Sequence, residues 1–238
     1  MLPSEDGQGV AVLCSGGLDS AVLLAEVARE RTPALVQPLY ISVGLAWEAQ
    51  ELAAMARLLE TPAFLGMRPM ASLRFDMRDI YPPTHWAVRG EPPAFDTPDE
   101  DVYLEGRNIV LLTKAAVFMA RANLTQVFLG PLAGNPFPDA TPAFFNTMAR
   151  ALSLGLDAHL EIATPFAELQ KADVIKLGHA IGVPLELTLS CMQPSDGAST
   201  ELRASVHCGR CSKCRERRDA FREAGIDDLT VYREKPPR

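Results

Sequence analysis

Apolar and polar positions along this chain follow two periods, and the switches between them lay out its elements. Val10-Ala11-Val12-Leu13-Cys14 is short, continuously apolar and partly β-branched, which predicts a buried strand. Apolar side chains then recur on a helical period from Leu18 to Ala28, so a helix follows a turn at Ser15-Gly16-Gly17. Residues 34–43 predict a second strand. Leu52, Met55, Leu58 and Leu59 predict a second helix over residues 47–59, and residues 63–67 read as a third strand. A β-α-β-α-β rhythm with short connections predicts an α/β fold, a doubly wound parallel sheet covered by helices on both faces.

From Met70 to Val102 the periodicity fails. Pro82, Pro83, Pro92, Pro93 and Pro98, with an acidic run over residues 96–101, bar a long regular element. So long a connection is expected to be functional or mobile, and residues 70–102 read as an irregular insertion or lid. Order returns at Tyr103-Leu104-Glu105-Gly106-Arg107-Asn108-Ile109, which opens an apolar helix running to Ala122. Residues 126–130 and 160–164 predict strands, separated by a loop over residues 134–141 and a helix from Pro142 to about Leu154. Residues 167–181 predict a helix containing Lys171, stopped at Gly182-Val183-Pro184. Beyond Leu185 the residues turn to cysteine, charge and turn formers. Residues 1–190 therefore read as the main domain and residues 191–238 as a small C-terminal metal-binding module.

Composition narrows the class. With 238 residues, 47 % hydrophobic and 22 % charged, the chain has the balance of a globular enzyme. A net charge of −7 argues against a broad nucleic-acid-wrapping face. No apolar run reaches the roughly 20 residues needed to cross a bilayer. Met1 to Gly7 lack the basic start and apolar core of a signal peptide. Of the five cysteines, four cluster late, which favours metal over disulfides and hence a reducing cytoplasm.

The chemistry concentrates in two places. In Ser15-Gly16-Gly17-Leu18-Asp19-Ser20 the paired glycines let backbone N–H groups turn into one concavity, two hydroxyls add donors, and the next helix offers its positive end. That is a phosphate cradle, although the lysine of the Walker loop is missing. Cys191, Cys208, Cys211 and Cys214 have the spacing C-x16-C-x2-C-x2-C, which suits a closed four-thiolate zinc site. An iron–sulfur cluster is the rival, but the nearby Cys-Pro of ferredoxin-type runs is absent. His207 is expected to hydrogen-bond a sulfur rather than ligate, and Cys14 to pack at its strand's end. Arg210, Lys213, Arg215, Arg217 and Arg218 form a basic run that reads as a solvated helix face, with phosphate or nucleic-acid contact as the alternative.

Ser-Gly-Gly-Leu-Asp-Ser resembles the pyrophosphate (PP) loop of the N-type ATP pyrophosphatases, which implies an adenine-nucleotide-hydrolase-like fold. Adding Gly106-Arg107-Asn108, Lys171-Ala172-Asp173, and Cys191 with His207-Cys208-Gly209-x-Cys211-x-x-Cys214, the chain resembles the 7-cyano-7-deazaguanine synthase family over most of its length. The family's substrate segment keeps only its Pro-Asp step here, as Pro138-Asp139. The resemblance implies ATP-dependent conversion of a 7-carboxy-7-deazaguanine to the nitrile with ammonia, through an adenylated acid and an amide, in queuosine precursor biosynthesis. ATP would lie along Cys14, Ser15, Gly16, Gly17, Leu18, Asp19, Ser20, Ala21, Val22, Leu23 and Leu24, with Asp19, Ser15, Ser20 and Lys171 catalytic and Asp19 on Mg²⁺. Arg107, Asn108, Phe137 and Asp139 would meet the acceptor. Partners would be a small carboxylate and ammonia, with pairing into a homodimer left open and neither membrane nor nucleic acid expected. Two other readings stay open: amidation or thiolation of another acceptor, and a non-catalytic nucleotide-binding zinc-ribbon regulator.

Overall fold

The computed structural model describes residues 8–195 and 205–235, so the expectation for residues 1–7 lies outside the described residues. Five strands pair in one sheet, all parallel, in the order β3-β2-β1-β4-β5. The apolar first segment becomes β1 (Gly9–Leu13) and takes the centre, where a strand buried on both faces belongs. Val10 lies opposite Val36 of β2 (Val36–Ser42), and Val12 lies opposite Phe128 of β4 (Leu124–Phe128).

Alternate residues of β1 feed two cores. Val10 and Val12 pack with α1 (Leu18–Glu30), α2 (Glu48–Leu59) and α6 (Lys171–Ala180), whereas Ala11 packs with α4 (Arg107–Ala122) and α5 (Pro142–Leu156). The sheet is therefore doubly wound. The chain changes layer on either side of β1, which opens a crevice at the carboxyl ends of β1 and β4.

The expected third strand is corrected. Residues 62–64 form a single 3-10 turn begun by Pro62, and Gly66 has φ +84°. β3 is Ala71–Arg74, paired with β2 at the sheet's edge, where burial alternates and no apolar run marks it. Residues 70–102 are thus not all irregular, since they contain β3, a short helix α3 (Trp86–Arg89) and a 3-10 turn at Asp99–Val102. Met77, Tyr81 and Ala87 are buried with Val43, Leu45 and Trp47, so the segment packs as a wall at the end of the sheet.

β5 (Glu161–Ala163) closes the far edge. α6 starts at Lys171 rather than 167, because Gln170 and Asp173 form a capping box there. α7 (Ser212–Ala224) follows the cysteines and lays Ala220 and Phe221 in the same core as Val174 and Ile175 of α6. Among the described residues no helix is long and apolar enough to cross a membrane.

Candidate active site

The loop after β1 is held by its own hydroxyls. The Ser15 N–H donates to Ser20 Oγ (3.3 Å), the Ser20 hydroxyl donates to the Gly17 carbonyl (3.1 Å), and the Gly17 N–H donates to Ser15 Oγ (3.4 Å). Gly16 has φ +76°, and a Cβ there would come within 3.0 Å of the Glu51 carbonyl oxygen, so the loop closes directly on α2. Gly17 is the N-cap residue of the 13-residue α1, whose positive end faces the loop. The side chains of Ala21, Val22, Leu23 and Leu24 turn away into the core, each 0 % exposed. Cys14 donates its thiol to the Leu39 carbonyl (3.6 Å), and burial pushes its pKa up to about 12. It packs, as its strand position implied.

A chain of charges runs beside the loop. Asp19 Oδ2 lies 3.2 Å from Lys171 Nζ, Lys171 also donates to Glu216, and Lys213 Nζ donates to the other Glu216 oxygen at 2.7 Å. Burial works against the Lys171 ammonium, but Asp19 and Glu216 outweigh it and hold its pKa above the ordinary value. Burial likewise works against the Glu216 carboxylate, which the two lysines nevertheless bring down to about 2. Asp19 Oδ1 is buried with no hydrogen-bond partner, and burial raises the Asp19 carboxyl despite Lys171. An orphaned carboxylate oxygen beside a phosphate cradle fits a divalent cation with oxygen ligands, such as Mg²⁺.

Beyond the loop, the crevice widens into a cavity of about 260 Å³ lined by Tyr40, Glu51, Tyr103, Arg107, Asn108, Phe137 and Asp139. Asp139 is buried and caps α4: its carboxylate accepts from the Asn108 N–H (3.1 Å) and Nδ2 (3.3 Å), and its carbonyl accepts from Nδ2 (2.9 Å). Burial raises its pKa. Phe137 stacks on Tyr103, ring centroids 5.0 Å apart, and Arg107 contributes a buried Nε with no hydrogen-bond partner. The four acceptor-site candidates therefore meet in one place.

Glu51 is the residue that sequence reasoning passed over. Buried on α2, it accepts from the Tyr40 hydroxyl (2.9 Å) and Trp47 Nε1 (3.1 Å). Burial lifts its pKa to about 7, with Arg107 pulling the other way. The signal was available, since Glu51, Met55 and Leu58 share one stripe at i, i+4, i+7, and a carboxylate on an apolar stripe is an anomaly.

The four cysteines converge. Their sulfurs all lie within 4.8 Å of one another, with Cys211 to Cys214 at 3.5 Å and Cys208 to Cys214 at 3.9 Å. Thiolates on one tetrahedral zinc, at about 2.3 Å each, stand about 3.8 Å apart, so the set fits such an ion. Backbone N–H groups of Gln193 and Cys208 donate to Cys191 Sγ (3.2 Å each), and that of Arg210 donates to Cys208 Sγ (3.4 Å). Gly209 has φ +82°, and a Cβ on it would lie 1.8 Å from the Glu234 carbonyl, so only glycine makes this knuckle.

His207 does not bond a sulfur as expected. Its Nε2 accepts from the Ser190 N–H (3.0 Å), and burial drops its pKa to about 3, which keeps the ring neutral. Arg217 leaves the expected solvated face as well. It is 1 % exposed and donates to the hydroxyls of Thr188, Ser190 and Thr230 and to the Leu185 carbonyl. Between those anchors, the Leu189 N–H donates to the Gly16 carbonyl (2.7 Å), so the stretch that Arg217 holds braces the phosphate loop.

The family model described as queuosine biosynthesis protein QueC matches residues 9–225. A 7-cyano-7-deazaguanine synthase of Methanothrix thermoacetophila is 34 % identical over 232 residues, covering 92 % of this chain and 96 % of its own. That of Methanopyrus kandleri is 34 % identical over 232 residues, covering 94 % and 98 %. That of Azoarcus sp. (strain BH72) is 35 % identical over 236 residues, covering 93 % and 95 %.

Proposed function

Because the chain belongs to the family of queuosine biosynthesis proteins QueC, we propose that it is a 7-cyano-7-deazaguanine synthase, an ATP-dependent ligase forming carbon–nitrogen bonds. The observation that carries this reading is the junction, in one crevice, of a phosphate loop with an aromatic and polar cavity. One half suits a nucleotide and the other a flat, hydrogen-bonding ring.

A carboxylate is a poor electrophile, and its two oxygens must both leave before a nitrile can form. Transfer of AMP to a carboxylate oxygen releases pyrophosphate and makes that oxygen a leaving group. Attack by ammonia at the activated carbon forms the C–N bond, expels AMP and loses a proton, giving the amide. A second adenylation, on the amide oxygen, followed by loss of AMP and the remaining N–H protons, gives the nitrile.

Each residue's part follows from its place. Ser15, Ser20 and the loop N–H groups hold the pyrophosphate as its charge develops, with Lys171 beside them. Asp19 holds Mg²⁺, which supplies charge neutralisation at the phosphates when bound. Phe137 stacks on the deazaguanine, Asp139 and Asn108 meet its polar edge, and Arg107 meets its carboxylate. Residues 1–190 form the ATP pyrophosphatase domain, and residues 191–238 a module closed by zinc on Cys191, Cys208, Cys211 and Cys214, whose role is structural because no open coordination position remains. We place the enzyme in the cytoplasm.

The experiment is direct. The purified protein, given ATP, ammonium and 7-carboxy-7-deazaguanine, releases pyrophosphate and AMP only when the acid is present. Stimulation by a different carboxylate, and none by this one, would redirect the assignment.

A further inference from the structure

The basic run after Cys208 holds five cations, each with a partner in the protein itself, and four of them do not line the crevice. Arg217 is buried among hydroxyls, Arg218 pairs with Asp219 and lies over Phe95, Arg215 donates to the Thr97 carbonyl, and Arg210 engages Gln193 and Glu234. Lys213 differs. It lines the same lobe of the crevice as Ser15, Gly17, Asp19 and Lys171.

We propose that Lys213 is a second phosphate-binding residue, which closes with Lys171 on the pyrophosphate half of ATP. This rests on the ATP reading above and adds a ligand that comes from the cysteine segment rather than from the phosphate loop's own domain.

Glu216 explains how the pair can wait in the free protein. Its two carboxylate oxygens each hold one lysine, so neither ammonium is left unpaired in a partly buried site. An ammonium has three donors. Lys171 already directs two, to Asp19 and Glu216, whereas Lys213 directs one, to Glu216, and leaves two for an arriving anion. With 27 % of its side chain exposed, Lys213 stays open to the crevice while it holds Glu216. Its backbone is fixed between Cys211 and Cys214, which anchors the root of the side chain beside the crevice. Seen from the chemistry, the cysteine segment does more than tie down the chain's end.

Calorimetric titration of the metal-loaded full chain with inorganic pyrophosphate and, separately, with AMP tests this. Lys213→Gln is expected to weaken pyrophosphate about 10- to 100-fold, the loss of a charge-assisted contact, while AMP binds as in the wild type. Lys213→Arg, which keeps the charge, recovers most of the affinity. Metal content and Tm equal to wild type certify the fold of both variants. If Lys213→Gln binds pyrophosphate like the wild type, or weakens AMP and pyrophosphate equally, Lys213 is no phosphate ligand. A wild type that binds neither pyrophosphate nor AMP overturns the nucleotide reading, and this proposal with it.

Discussion

Glu51→Gln isolates one buried charge at the centre of the crevice. Burial raises the Glu51 pKa from 4.5 to about 7 against the opposing pull of Arg107. Between those values the folded chain keeps a proton that the unfolded chain has released, so stability falls as pH rises and levels off above about 7. At 1.36 kcal/mol per unit, the interval from pH 5 to pH 8 removes about 2.5 kcal/mol. Glutamine keeps the shape, can still accept from Trp47 Nε1 or Tyr40, and carries no titrating proton. Urea denaturation of both proteins at half-unit steps should therefore show the variant gaining on the wild type by about that amount between pH 5 and pH 8. His207, held near 3 by burial, shifts stability with pH in the opposite sense, and it cancels in the difference between the two proteins. A difference that stays flat across the interval would mean that Arg107 prevails over burial and that Glu51 is an ordinary carboxylate.

Asp19→Ala should abolish AMP formation in a protein of near-normal Tm, because it removes the orphaned oxygen assigned to Mg²⁺; undiminished AMP would end that assignment. Elemental analysis should find about one zinc per chain in a colourless protein, and Cys211→Ser should lose the metal and lower Tm, since binding energy here is folding energy. Iron in a brown protein would instead establish a cluster. Asp139→Ala should raise KM for the deazaguanine acid by about tenfold to a thousandfold and leave KM for ATP nearly unchanged. It should also cost about 1 kcal/mol of stability through the lost α4 cap, and an unaltered acid KM would confine Asp139 to that capping role.

What could be read from the sequence follows how locally each feature is encoded. β1 and its loop were legible because a buried central strand is a continuous apolar run and Ser-Gly-Gly-Leu-Asp-Ser has few structural uses. The cysteine site was legible from spacing alone. β3 was misplaced because an edge strand of four residues, alternately exposed, leaves almost no pattern, while the nearby Ala63-Phe64-Leu65 run imitates one. That Asp139, Asn108 and Arg107 line one cavity depends on a contact across 31 residues, which no local period reports; only the resemblance to a family had grouped them. Lys213 was hidden in a run of like charges, and only the packing of α7 on α6 separates it from its neighbours.

The measurement that bears most directly on the whole account is mass spectrometry of the products from 7-carboxy-7-deazaguanine, ATP, Mg²⁺ and ammonium. The expected result is 7-cyano-7-deazaguanine, nitrogen-15 in the new nitrile when the ammonium is labelled, and two AMP for each nitrile formed. Acid recovered unchanged by a folded, metal-loaded protein that does cleave ATP on another carboxylate would contradict it.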